Sequence, residues 1–415
     1  MVTHQHSGPP RSMTPDLRTS TGRRAQLLLL GLTAGIPLMN FTVTGFSFVC
    51  LCFVITFAAQ RDLIRNEAPL VLAGLGTVAY VMSTLVNGAP LRAPNLIAFA
   101  AVGLYLCGLS VLARTLEELF TILVGVSLGT MAFYAVLGTA LTSDGLVADL
   151  WKYGLAPPVT MIALYSVATA GRRARTAPLV LLAALVLVSL ALNYRSHAAL
   201  CGASLLLVAL DRLNPPRMPA AIKIGVVVAF AAVASWGLKV AATSGLLGAS
   251  LTEKVELQSA QQAPSLLVGR SEPLLSLTAI RERPWLGWGS ADNISTGVFD
   301  QARAWATQQG FDPTYPFEYV WRLSDGSVSL HSIILTSWAE AGIVGALLPL
   351  WLLWACLTLV FTAHRFVRWA PLLTYLGVQG AWDLAFSPWS YNGPIMFAIV
   401  ACACTLVRHR RPAAA

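Results

Sequence analysis

The sequence predicts an all-α polytopic membrane protein. It reads as about twelve transmembrane helices, with one large extracytoplasmic loop containing short helices between the ninth and tenth spans. Three observations carry this expectation. The 415 residues are 56% hydrophobic and only 11% charged, where a soluble domain carries about 25% charged residues. The apolar residues lie in long runs, and the mean hydropathy is +0.66. The basic residues sit at the ends of those runs, so the membrane explains the net charge of +9 before any nucleic-acid partner does.

Residues 1–24 are polar, rich in Pro, Ser and Thr, and read as a disordered cytoplasmic tail. The first apolar run has no small-x-small cleavage pattern after it and reads as a retained anchor. Spans are expected near 25–39, 44–60, 68–86, 94–113, 118–141, 154–170, 177–193, 197–211, 219–243, 331–363, 369–386 and 393–407. Nine therefore fall in 25–243 and three in 331–407, around an extracytoplasmic loop at 244–330. Residues 408–415 form a second cytoplasmic tail. With both termini inside, eighteen of the 28 Lys and Arg lie on the inner side, and the short outer loops hold only Arg92, Lys152 and Arg195. Lys and Arg favour the cytoplasmic side, so the long loop is placed outside. The seven cysteines all lie in apolar segments, and C-L-C and C-A-C lack redox or zinc spacing, so they read as packing residues.

Between the seventh and eighth spans, "ALNYRSHAAL" (191–200) puts Arg195 and His197 in a tight hairpin at the outer rim. An ionisable group at that depth is costly unless paired. Position alone leaves two readings of Arg195, a functional cation or an arginine reaching for lipid phosphate. In the outer loop, residues 250–262 read as a short polar helix. A second helix follows from Ser271 as N-cap, with Pro273 in its first turn and Pro284 ending it. Leu274, Leu275, Leu277 and Ile280 are expected to rest on the membrane surface or on the spans beneath.

Arg270 precedes that helix, where free N–H groups and a guanidinium together suit an anion, unless Glu272 pairs with it locally. "PWLGWG" (284–289) brings Trp285 and Trp288, the first of a series of aromatics running to Trp321. These suit sugar stacking or an interfacial belt. His331 opens a run to Phe361 that would make a helix about 46 Å long at ~1.5 Å per residue. The hydrocarbon core is about 30 Å thick, so the first turns should stand above the membrane. Glu340 reads as a structural element of the turn toward Gly342. No catalytic triad motif, P-loop or metal-spaced His/Cys cluster is present, and neither a metal nor a cofactor is expected.

Three separated stretches, "NYRSHAA", "GRSEPLLSLTAIRERPWLGWG" and "LHSIILTSWAEAGIVG", occur in an order and spacing that resemble the O-antigen ligase and polymerase family of bacterial inner-membrane proteins. The chain departs from that pattern at Tyr194, where Ser is frequent, and at Ser332, where Asn is usual. The resemblance implies a glycosyltransferase that takes a glycan from a polyprenyl-diphosphate carrier, on the outer side of the membrane, and passes it to the hydroxyl of a glycan or lipid-glycan acceptor. It implies that Arg195 and Arg270 grip the donor diphosphate and that His331 engages the acceptor hydroxyl or the reacting centre. Trp285, Trp288 and His197 are expected beside the substrate, and membrane lipids rather than nucleic acid surround the protein. Two guanidiniums can stabilise the leaving diphosphate without a metal, and direct displacement would invert the anomeric carbon. A polymerase of lipid-linked repeats shares this chemistry and differs in acceptor. A lipid-glycan flippase would instead favour charges deep in several spans, where only Asp383 is a candidate.

Overall fold

The computed structural model describes residues 20–39, 42–60, 66–91, 94–138, 145–171, 176–213, 219–243, 263, 268, 270–323 and 326–409. The expected polar helix at 250–262 and most of both tails lie outside these residues. The helices, in chain order, are α1 (Thr21–Leu32), α2 (Gly45–Cys52), α3 (Val54–Ala59), α4 (Glu67–Val86), α5 (Pro94–Leu112), α6 (Leu116–Leu137), α7 (Leu146–Leu150), α8 (Ala156–Thr169), α9 (Ala177–Ala191), α10 (Arg195–Leu213) and α11 (Ala220–Thr243). After the loop come α12 (Glu272–Glu282), α13 (Thr296–Gln308), α14 (Phe317–Trp321), α15 (Ile333–Thr362), α16 (Ala370–Phe386) and α17 (Gly393–His409).

The chain is nearly all-α among the described residues. Five helices are long and apolar enough to cross a membrane: Glu67–Val86, Asn95–Leu112, Leu116–Leu137, Arg195–Leu213 and Ile333–Arg365. Four further expected runs form shorter apolar helices, at Gly45–Ala59, Ala177–Ala191, Ala220–Phe230 and Gly393–His409. The first expected span is shorter than its apolar run. Helix α1 stops at Leu32, and a small antiparallel pair, Pro37–Met39 with Val43–Thr44, follows. Pro37 cannot continue a helix, and β-branched Thr42, Val43 and Thr44 favour extended backbone.

Helix α1 lies along α6. Gly31 and Gly35 face Gly125 and Gly129, two small-xxx-small stripes that let the backbones touch, as apolar helices do where lipid gives no hydrophobic drive to associate. A Cβ on Gly125 would collide with the Leu28 carbonyl, and one on Gly129 would come within 2.6 Å of the Gly35 nitrogen. At one end of this pair, Arg24 and Arg368 both reach Glu117, and Arg23 reaches Glu118 at 3.5 Å. Further on, α15 packs between α4 and α16, α17 lies on α5, and α10 returns along α9 to meet α16.

Helices α12 to α14 build a second core of their own. Leu274, Leu275 and Ile280 of α12 are buried with Phe299, Phe311, Phe317 and Trp321. Of the two partners expected for these residues, the membrane surface or the spans beneath, the packing departs from the first and includes Leu335, Trp338 and Ala339 of α15. The downstream aromatics supply a closer apolar partner, and only Leu277 of the four is exposed, at 42%. Ser271 holds the N-cap position of α12 as expected, but its side chain makes no cap hydrogen bond. Its hydroxyl accepts the Trp321 indole N–H at 3.1 Å.

The expected single long helix after His331 is broken. Gly342 takes φ 69° and ψ −172°, which interrupts α15. The turn 284–289 enters the break and takes over its backbone hydrogen bonds. Trp288 N–H donates to the Ala339 carbonyl at 2.9 Å, Gly289 N–H to the Glu340 carbonyl at 2.8 Å, and Ile343 N–H to the Pro284 carbonyl at 3.0 Å. The segment below the break, 343–362, is about 30 Å long at ~1.5 Å per residue, which matches the hydrocarbon thickness. The segment above it belongs to the outer layer. The Glu340 carboxylate locks the junction. It accepts Asn95 Nδ2 at 2.6 Å, Tyr80 Oη at 3.2 Å and the Ala291 N–H at 2.9 Å. That is the structural role its place before Gly342 indicates.

Candidate functional site

Arg270, His331 and the α9–α10 hairpin converge where the outer layer meets the helical bundle. Helix α9 ends at Ala191, and Asn193 adopts φ 54°. The Tyr194 N–H turns back to the Ser189 carbonyl at 2.7 Å. This is an αL helix end with Asn in place of the usual Gly, and it needs no further loop residues before α10 begins at Arg195. His331 also sits in the left-handed region, at φ 42°. Ser332 follows it as the N-cap of α15, its Oγ accepting the Leu335 N–H at 3.2 Å. Asn and Ser are near-equal N-caps, so the departure at Ser332 preserves the local geometry.

A cavity of about 540 Å³ opens here. Arg270 and His331 line it, as do Tyr194 and Ser196 on either side of Arg195. The opposite wall comes from Gln379, Asp383 and Ser387 of α16 and from Tyr391 and Asn392 beyond it. Lys152 and Tyr153 reach it from Trp151–Leu155, a turn of π-helix, with the Lys152 ammonium 5.0 Å from the Tyr153 ring centre. Such turns are rare and recur at functional sites. Val126, Met161, Phe397 and Val400 form an apolar floor within the bundle. The wall thus holds the cations Arg270 and Lys152 and the imidazole of His331 against the carboxylate of Asp383, which accepts Gln379 Nε2 at 2.8 Å and Ser387 Oγ at 3.1 Å. Above the bundle, burial pushes the Tyr194 phenol up, and the Asp383 carboxylate adds to that rise.

Residues 158–350 match the family model described as O-antigen ligase. Over this stretch, just under half of its length, the chain is similar to O-antigen ligases. No curated protein and no solved structure matches the chain. The five helices long and apolar enough to cross a membrane and the similarity to O-antigen ligases both point to a membrane protein. Arg195, Arg270 and His331 fall inside the O-antigen ligase match, whereas Lys152 and Asp383 lie on the flanks that complete the cavity wall.

The other expected substrate contacts are placed elsewhere. His197 is fully buried between helices, its ring 2.7 Å from Ser189 Oγ, 3.1 Å from Thr160 Oγ1 and 3.2 Å from Tyr375 Oη. It pins α10 to α8, α9 and α16. Trp288 is only 4% exposed. Its indole donates to the Ala279 carbonyl at 3.0 Å and lies 4.0 Å under the Arg283 guanidinium. Trp285, at 79% exposure, projects from the same turn. Arg195 opens α10 and is partly buried.

Lys152 was legible only as an outer-loop charge, and Asp383 as an acid in an apolar run. That Glu272 turns toward His331 had no sequence signal, because the two are far apart in the chain. A His197→Ala variant is expected to lose about 1–3 kcal/mol of stability through orphaned buried hydroxyls. Thermal unfolding in detergent measures this, and a variant of wild-type stability that had lost activity would move His197 into the chemistry.

Proposed function

We propose that the protein transfers a glycan from a polyprenyl-diphosphate carrier to an acceptor hydroxyl on the outer side of the inner membrane, with both termini cytoplasmic. The carrying observation is the cavity at the bundle's rim, with Arg270 and His331 on one wall and an apolar floor beneath. A lipid-linked diphosphate has both characters, an anionic head and a greasy tail. Arg270, with Arg195 at the start of α10, holds the diphosphate, and guanidinium geometry suits its oxygens. Fixed cations stabilise the charge that builds as the sugar–phosphate bond breaks. His331 takes the acceptor proton. Direct displacement inverts the anomeric centre.

The test is purified protein given a polyprenyl-diphosphate glycan, with either a lipid-glycan acceptor or a second lipid-linked repeat. Wild type should release polyprenyl diphosphate, and the Arg195→Ala, Arg270→Ala and His331→Ala variants should not. Release that survives all three substitutions rejects the mechanism. Glycan movement across a vesicle membrane without a transfer product points to a flippase. The acceptor that turns over separates ligase from polymerase.

A further inference from the structure

We infer that Glu272 is a positioning residue for His331, holding its imidazole so that the proton sits on Nδ1 and the Nε2 lone pair is left for the acceptor hydroxyl. Glu272 Oε1 lies 3.2 Å from His331 Nδ1. This contact turns Glu272 toward the histidine, and the Arg270 charge also acts on it. Glu272 is 6% exposed, and its second oxygen, Oε2, is buried with no hydrogen-bond partner among the described residues. A half-satisfied buried carboxylate is a poor stabilising device.

Burial alone would raise the Glu272 carboxyl, yet it is lowered overall. The His331 hydrogen bond, a backbone N–H and the charges of His331 and Arg270 outweigh the burial. An ionised carboxylate can only accept, so the shared hydrogen belongs to Nδ1. Ser329 Oγ, 3.1 Å from the same nitrogen, then serves as a second acceptor. The other titratable groups around the pair are Arg270 beside α12, Tyr315 of the outer layer, and Tyr194, Lys152 and Asp383 on the cavity wall. The backbone agrees with a built site. His331 is held at φ 42°, a conformation costing a non-glycine residue about 1–3 kcal/mol and kept only where the surroundings enforce it.

This inference rests on the transferase reading. In the step it serves, the acceptor O–H proton passes to Nε2 as the acceptor oxygen bonds the anomeric carbon. The bond from that carbon to the diphosphate oxygen breaks, and its electron pair leaves with the diphosphate. Glu272 stabilises the imidazolium so formed and touches no substrate.

Two measurements on full-length protein test it. In protein with ¹⁵N-labelled histidine, with His331 assigned by its loss in His331→Ala, the neutral ring should show the Nδ1–H tautomer. It should move toward Nε2–H in Glu272→Ala, because the partner of one ring nitrogen sets the tautomer. An unchanged ¹⁵N pattern overturns the inference. In the transfer assay, Glu272→Gln should lower kcat by about 10- to 100-fold, the scale of lost orienting partners. The KM for the donor should stay within about two-fold, as expected when a group acts only in the transition state. Glu272→Asp should recover part of the rate. A fall in stability with unchanged kcat in the folded fraction also overturns it. If wild type transfers nothing, the transferase reading fails, and the tautomer measurement still decides whether Glu272 orients His331.

Discussion

Replacing Arg270 with alanine is expected to cut transfer from the lipid diphosphate by about 10²–10³-fold, the range for removing one preorganised donor to a developing negative charge. Arg270 lies on the cavity wall, and the nearest carboxylate along the chain, Glu272, is directed to His331 at 3.2 Å. Under the proposed reading its charge meets the donor diphosphate. Lysine at 270 should restore only part of the rate, because an ammonium keeps the charge but loses the planar fork that meets two phosphate oxygens at once. The fold should tolerate either change, since the α12 core is built from Leu274, Leu275 and the loop aromatics. Polyprenyl diphosphate release, read beside thermal unfolding, checks both statements. An alanine variant working at the wild-type rate removes Arg270 from the chemistry.

The second large effect concerns architecture. Gly342→Ala is expected to destabilise the protein by on the order of 4 kcal/mol, combining left-handed backbone strain with overpacking. A methyl group at 342 would run into the Trp285 carbonyl, and one at Gly287, which has φ 74°, would sit 2.5 Å from the Glu340 carbonyl carbon. Gly287→Ala should act on the same junction, so the double variant should cost less than the sum of the two. Melting in detergent and limited proteolysis of residues 270–330 report the loss. A Gly342→Ala variant with wild-type melting and an intact outer layer would show that the break in α15 is not required.

Much of the fold was legible because apolar run length is a direct physical constraint. The long helices α4, α5, α6 and α10 begin and end within a few residues of their expected spans. Where residues compete, the sequence was less informative. Leu274, Leu275 and Ile280 carry no mark of whether their partner is lipid or another part of the chain. The aromatics from Trp288 to Trp321 suited a sugar platform or a membrane belt equally, and Trp288, Phe299, Phe311, Phe317 and Trp321 form a buried core instead, while Tyr319 stays exposed. The run after His331 looked like one helix because its residues all favour helix. The break at Gly342 arises from a turn more than fifty residues earlier in the chain, which periodicity does not report. Arg270 and His331 were readable as candidates since each charged or titratable group opens a helix after a polar stretch. Glu272 was readable as a residue but not as a partner of His331.

The three backbone bonds between the 284–289 turn and the ends of the break in α15 have a mechanical consequence. They tie the short segment 333–341 to the layer that carries Arg270 and Glu272, while Tyr80 and Ser83 of α4 and Asn95 of α5 tie the same junction to the bundle. His331, Glu272 and Arg270 therefore share one framework with α4 and α5, so a shift of either helix would reach the cavity wall they line.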